Sequence, residues 1–269
     1  MTPLPNIAYD PETILDRKVN AGTFASHVAK QEPFCHLRYG DGEFVSALNL
    51  GGKIKKISNC DGHRYYSDTM GVELKQVLHE VAERFPLNSN IYVGLHCTWH
   101  QQYIQPWIVE NRLMNFIHWV GNIELQVGLA NLSTLRLFEA IKNHSGPTIL
   151  IGNDSLAPAA RALRATLIEI PRKNCWHKAS EIVEQAQNDI HACDVHNADA
   201  FPIVMASASM ASEPILWRLR KWRPVGIYLD TGHIFDAIVS RPSRGYTRSN
   251  KDGINDIIKQ HYQPFFLGS

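Results

Sequence analysis

The sequence predicts an α/β protein built on a doubly wound, mostly parallel sheet flanked by helices. Three observations predict it. Short apolar runs recur along the chain: PFCHLRY, NIYVGLHC, TILIG, TLIEIP, FPIVMAS and VGIYLD. Segments of helical periodicity separate them, and strands joined by helical crossovers are parallel. Polar clusters follow four of the runs: GDGE, NDS, SASMASE and DTGH. In open parallel sheets such positions, beyond the carboxyl ends of the strands, are where ligands bind.

The elements follow in order. Residues 1–10 read as an irregular lead-in, and PETILDRKVNAGTFASHVAKQ as a helix interrupted at Gly22. PFCHLRY is a strand ending in GDGE, FVSALNL a short helix, and KIKKIS an alternating strand. SDTMGVELKQVLHEVAERF carries an amphipathic stripe of Val72, Leu74, Val77, Leu78, Val81 and Phe85, with Ser67 or Asp68 as cap. NIYVGLHC is a strand. QQYIQPWIVENRLMNFIHWV reads as helical pieces broken at Pro106. A second cycle follows: helix STLRLFEAIKNH, strand TILIG, helix APAARALRA opened by Asn153-Asp154-Ser155, and strand TLIEIP. Helix KASEIVEQAQNDIHAC, strand FPIVMAS, helix EPILWRLRKW and strand VGIYLD complete it. No compositional shift marks a linker, so the expectation is one domain over 1–269, with a basic C-terminal segment over 241–269.

Composition narrows the function classes. The chain has 269 residues, 44% hydrophobic and 20% charged, with 27 basic and 26 acidic residues and a net charge of +1. No global field recruits nucleic acid or a membrane surface. Two local clusters depart from that balance: Arg218, Arg220, Lys221 and Arg223, and then Arg241, Arg244, Arg248 and Lys251. Each reads as a solvated face or as a patch for phosphates or an anionic acceptor. The five cysteines are odd in number, widely spaced and form no CxxC pair, which fits reduced thiols. The first residues lack the pattern of a secretory signal, and no run of apolar residues is long enough to span a bilayer. A cytoplasmic protein is expected.

The chemistry concentrates at RYGDGEF. In an extended backbone residues i and i+2 point the same way, so Asp41 and Glu43 would aim two carboxylates at one point. Mg²⁺ and Mn²⁺ take oxygen ligands of this kind, commonly with substrate phosphates. Gly40 and Gly42 allow the backbone close to a ligand, and Arg38 can neutralise a phosphate. A charged surface turn is the alternative reading. At DTGH, Asp230 and His233 read as acid/base, phosphate-contacting or structural groups. His96 and His100 in HCTWH, and His191, Cys193 and His196 in HACDVH, lack the remaining ligands of a zinc site. The fingerprints of dinucleotide oxidoreductases, P-loop NTPases, α/β serine hydrolases and zincins are absent. The aromatics Trp99, Trp107, Phe116 and Trp119 read as core, or as a platform for sugars or bases.

RYGDGEF resembles the arginine–apolar–GDGE signature of the GT-D glycosyltransferases, a family first catalogued as a domain of unknown function. The likeness extends to IEIPRKNCW and YLDTGHIFD, in that order, and covers residues from about 10 to about 240. The resemblance implies a Rossmann-like fold that binds a nucleotide sugar, usually of UDP, and moves the sugar to an acceptor hydroxyl. It implies Mn²⁺ or Mg²⁺ at Asp41 and Glu43, with Arg38, Gly40 and Gly42 beside the donor. Asn153, Asn174 and Trp176 are expected to line the donor pocket. The base is expected among Asp230, His233, Asp61 and Glu213. The expected acceptor is a glycan, glycolipid or glycoprotein in surface-glycan synthesis. A phosphate-ester hydrolase, or a transferase acting on modified DNA, is the alternative, and the near-zero net charge disfavours nucleic acid.

Overall fold

The structure is a computed structural model and describes residues 15–48, 68–84, 90–95, 101–121, 123–194, 201–239 and 253–268. Seven strands form one all-parallel sheet: β1 (Phe34–Tyr39), β2 (Ile91–Leu95), β3 (His118–Gly121), β4 (Thr148–Gly152), β5 (Thr166–Glu169), β6 (Ile203–Ala206) and β7 (Ile227–Asp230). Their spatial order is β3-β2-β1-β7-β6-β4-β5. The expected α/β class, Rossmann-like and doubly wound, is therefore what the chain adopts.

Helices cover both faces. On one lie α2 (Asp41–Ala47), α3 (Asp68–Arg84), α4 (Gln101–Glu110), α8 (Ala179–Asp194) and α9 (Ser212–Trp222). On the other lie α1 (Ala21–Lys30), α5 (Glu124–Ala130), α6 (Ser133–Lys142), α7 (Ala157–Ala162), α10 (Ile234–Val239), α11 (Ile254–Ile257) and α12 (Gln263–Leu267). Alternate strand residues feed the two cores. Cys35, Leu37 and Tyr39 join one and Phe34 the other, as a period of two requires.

Direction and face are correlated. Crossovers running toward β3 (β1 to β2, β2 to β3, β5 to β6, β6 to β7) use the first face. Those running toward β5 (β3 to β4, β4 to β5) use the second. A single handedness for every crossover requires this. Neighbouring strands that send their following helices to opposite faces include β4 and β6, and β1 and β7, and such switch points open crevices at the strand ends.

Several local expectations change. Asn20 caps α1, its side chain accepting from Gly22 and Thr23 N–H, so Gly22 belongs to the first helical turn and the helix starts only at Ala21. α4 runs through Pro106 without a break. The proline is the sixth of the ten residues, and its missing N–H removes one bond of the helix interior. IHWV, expected as helix, becomes edge strand β3, with Trp119 buried and Asp16 N–H bonded to its carbonyl. The expected strand KIKKIS, the histidines of HCTWH, Trp99, His196, the 1–10 lead-in and Arg241, Arg244, Arg248 and Lys251 lie outside the described residues. Among the described residues no helix is long and apolar enough to cross a membrane.

Candidate functional site

The DTGH turn organises the carboxyl edge of the sheet. Asp230, the last residue of β7, is almost fully buried. Its Oδ1 accepts the Gly232 N–H at 2.8 Å, which closes the turn. Thr231 N–H and Oγ1 both donate to Ala206 O, and Ser207 Oγ meets Thr231 Oγ1 at 2.8 Å. The ends of β6 and β7 are thus locked together just beyond their ladder. Gly232 has φ +52, the left-handed region that glycine tolerates best.

Arg38 bridges from the neighbouring strand. A Cβ placed on Gly232 would coincide with Arg38 Nη1 and lie 2.6 Å from its Cζ. The guanidinium approaches Gly232 through Nη1, at the residue of the turn that leaves room for it. Arg38 and the DTGH turn therefore occupy the β1/β7 crevice together. His36, two residues earlier on the same face of β1, is fully buried against Phe24. Burial, with Arg38 beside it, pushes its pKa down to about 3 and keeps the ring neutral.

At the end of β1 the structure corrects one geometric expectation. α2 begins at Asp41, so Asp41-Gly42-Glu43 is helical rather than extended. Residues i and i+2 then stand roughly 200° apart around the axis, not on one side. Glu43 Oε2 turns back to accept the Gly40 N–H at 2.8 Å, the reciprocal half of a capping box. The side chain of Asp41, and all of Asp61, lie outside the described residues. Among those described, no three His, Cys, Asp or Glu side chains form a cage for a metal ion.

The β4/β6 crevice holds a cavity of about 130 Å³. Asn153, Asn174, Trp176 and His233, all singled out in the sequence, line it, as do Gly232, Ser207 and Asp236. Asn153 caps the turn after β4, its side-chain oxygen accepting from Ser155 N–H and Oγ. Asn174 takes left-handed backbone, and its buried Oδ1 has no hydrogen-bond partner among the described residues. Among the described residues it is a buried acceptor with no donor, as a site for a ligand's donor would require. Trp176 is fixed by its indole N–H on Thr69 Oγ1 and by Arg218, 5.4 Å from its ring centre.

His233 Nδ1 meets Asp236 Oδ2 at 3.3 Å, one turn along α10. A carboxylate behind one ring nitrogen is the arrangement that orients a histidine base. Sequence reasoning missed Asp236; its signal was the i, i+3 spacing to His233 at a helix start. Arg172 and Lys173 also line the cavity, and Arg172 pairs with Asp154 at the exposed lip.

Two side chains of the basic cluster of α9 are committed to carboxylates of α3. Arg218 grips Glu73 bidentately at 2.6 and 2.5 Å, and Lys221 and the Trp217 indole both donate to Glu80. These residues tie α9 to α3. Of the aromatics, Trp119 is core, Trp107 is half-buried against His79 and Lys75, and Phe116 is exposed.

The sequence-predicted residues therefore fall into two adjoining groups. Arg38, Gly40, Gly42, Glu43 and Asp230 gather at the β1/β7 crevice, and Asn153, Asn174, Trp176 and His233 at the β4/β6 cavity. Gly232 touches both. No protein-family model, curated protein or solved structure matches this chain.

Proposed function

We propose that the chain is a metal-dependent glycosyltransferase that moves a sugar from a nucleotide sugar to an acceptor hydroxyl. The observation that carries this reading is the meeting of three segments remote in sequence. RYGDGEF, IPRKNCW and YLDTGHIFD converge at one edge of the sheet, with Gly232 packed on Arg38 and lining the cavity beside Asn174 and Trp176.

The cavity would take the donor. Asn174 Oδ1 would accept from a base or ribose group, and Trp176 offers a face for stacking. Arg38 would meet the diphosphate, whose negative charge grows as the anomeric C–O bond breaks. His233, oriented by Asp236, would take the proton of the acceptor hydroxyl.

The cation test turns on Glu43. One of its oxygens is committed to Gly40 N–H, and each carboxylate oxygen has more than one lone pair. Its charge also acts on buried Glu213, as does that of Asp230, so negative charge accumulates here. The residues fit Mn²⁺ or Mg²⁺ held by the Glu43 carboxylate and donor phosphates; they do not fit an all-protein cage. When bound, the cation would neutralise the leaving diphosphate.

The test is product analysis with candidate nucleotide sugars and acceptor glycans. Acceptor-dependent transfer that excess chelator abolishes supports the reading. Release of free sugar without acceptor dependence would assign a hydrolase instead.

A further inference from the structure

Glu213 is the most deeply placed charged group among the described residues, with no exposed surface. It stands in the first turn of α9, beneath the carboxyl end of β7. No N–H or O–H of another described residue reaches either of its carboxyl oxygens. The group within hydrogen-bonding reach is another carboxyl, that of Asp230. Tyr39 of β1 and Glu43 of α2 are also close enough to act on it by charge. Tyr39 is committed elsewhere, donating to Leu74 O.

Two buried carboxyls in hydrogen-bonding contact cannot both be acceptors, so one must hold a proton. Asp230 already accepts the Gly232 N–H, so its carboxyl is set as an acceptor in the turn. Glu213 has only its own backbone N–H to accept from. We propose that Glu213 is a positioning residue that carries a proton, donates it to the Asp230 carboxylate, and thereby holds the turn on which Gly232 and His233 stand. Burial first, and the charges of Asp230 and Glu43 after it, hold the Glu213 carboxyl well above the usual carboxylate range.

The consequence runs from the core to the cavity. Glu213 fixes Asp230, Asp230 closes the turn through Gly232 N–H, and the turn seats Arg38 and presents His233. Glu213 does not line the cavity. It acts through Asp230. The inference rests on the transferase reading only for what the turn serves, not for how the turn is held.

Isotope-edited infrared spectroscopy and the Gly232 amide resonance test it without any turnover. At neutral pH the wild-type protein is expected to show the carbonyl stretch of a protonated carboxylic acid, and Glu213→Gln is expected to lose it. Glu213→Gln retains an N–H donor to Asp230 and should leave the Gly232 amide shift near wild type, whereas Glu213→Leu should displace it. Should the leucine variant not fold, Asp230→Asn is expected to move the Glu213 band, because the acceptor changes from carboxylate to amide. Absence of the band in wild type, its survival in Glu213→Gln, or an unmoved band in Asp230→Asn would overturn the proposal. If transfer assays fail while the band and shifts behave as stated, the function reading falls and this one stands.

Discussion

The guanidinium of Arg38 occupies the space that a side chain on Gly232 would need, so the two residues are matched across the β1/β7 crevice. Gly232→Ala would meet two penalties, the clash with Arg38 and a left-handed backbone costing about 1–3 kcal/mol for a non-glycine residue. The expected outcome is a fall of that order in urea-derived stability. Arg38→Ala in the same chain should recover the clash part and leave the backbone part, giving a non-additive double-mutant cycle. Additive losses would mean that the contact carries no strain.

Glu43 has a structural duty that a metal role alone would not reveal. Glu43→Ala removes the acceptor for Gly40 N–H and is expected to cost about 0.5–2 kcal/mol, as lost helix caps do. Glu43→Gln retains a carbonyl oxygen for that bond and should fold with nearly wild-type stability. Both variants should lose the Mn²⁺-dependent part of nucleotide binding, measured by titration calorimetry.

The Arg218–Glu73 pair clamps α9 to α3 with both side chains about three-quarters buried. Arg218→Ala should lower stability by roughly 1–2 kcal/mol, part of it from Trp176 losing its stacking partner. Binding to polyphosphate or DNA should be unchanged, because the guanidinium is already occupied. A steep loss of polyanion affinity in this variant would restore the phosphate-patch reading.

Two buried groups give opposite pH slopes. His36 binds a proton in the unfolded chain near pH 6.5 but in the fold only near pH 3, so stability is full above pH 6.5 and falls as pH drops through that window. Replacing His36 with Leu should flatten this slope. Glu213 has a raised folded pKa, so its contribution is present below about pH 4.5 and is lost as pH climbs toward that raised value. Glu213→Gln should remove that decline. Urea midpoints measured across pH for the three proteins check both signs.

The sequence announced six of the seven strands through apolar runs such as TILIG and VGIYLD, whose residues are buried on both faces as parallel strands require. It hid β3, because HWVG is only four residues long and follows an aromatic stretch that reads as helix. It placed Asn153, Asn174, Trp176 and His233 at strand ends, and these do share one cavity. It could not show that Asp41 and Glu43 start a helix, since GDGE suits a turn, a strand end or a capped helix equally. Nor could it pair Arg218 with Glu73 or Glu213 with Asp230, because those partnerships depend on which helix covers which strand.

The central claim is that this sheet edge binds a nucleotide sugar together with a cation. Thermal unfolding with a panel of nucleotide sugars, each with and without Mn²⁺, tests it most directly. Binding to the folded state alone raises the melting temperature, and a ligand at about 100 times its Kd adds about 2.7 kcal/mol. Stabilisation by one nucleotide sugar is expected, requiring Mn²⁺ and disappearing in Glu43→Gln. No shift with any nucleotide sugar, or a shift of equal size in excess chelator and in Glu43→Gln, would contradict it.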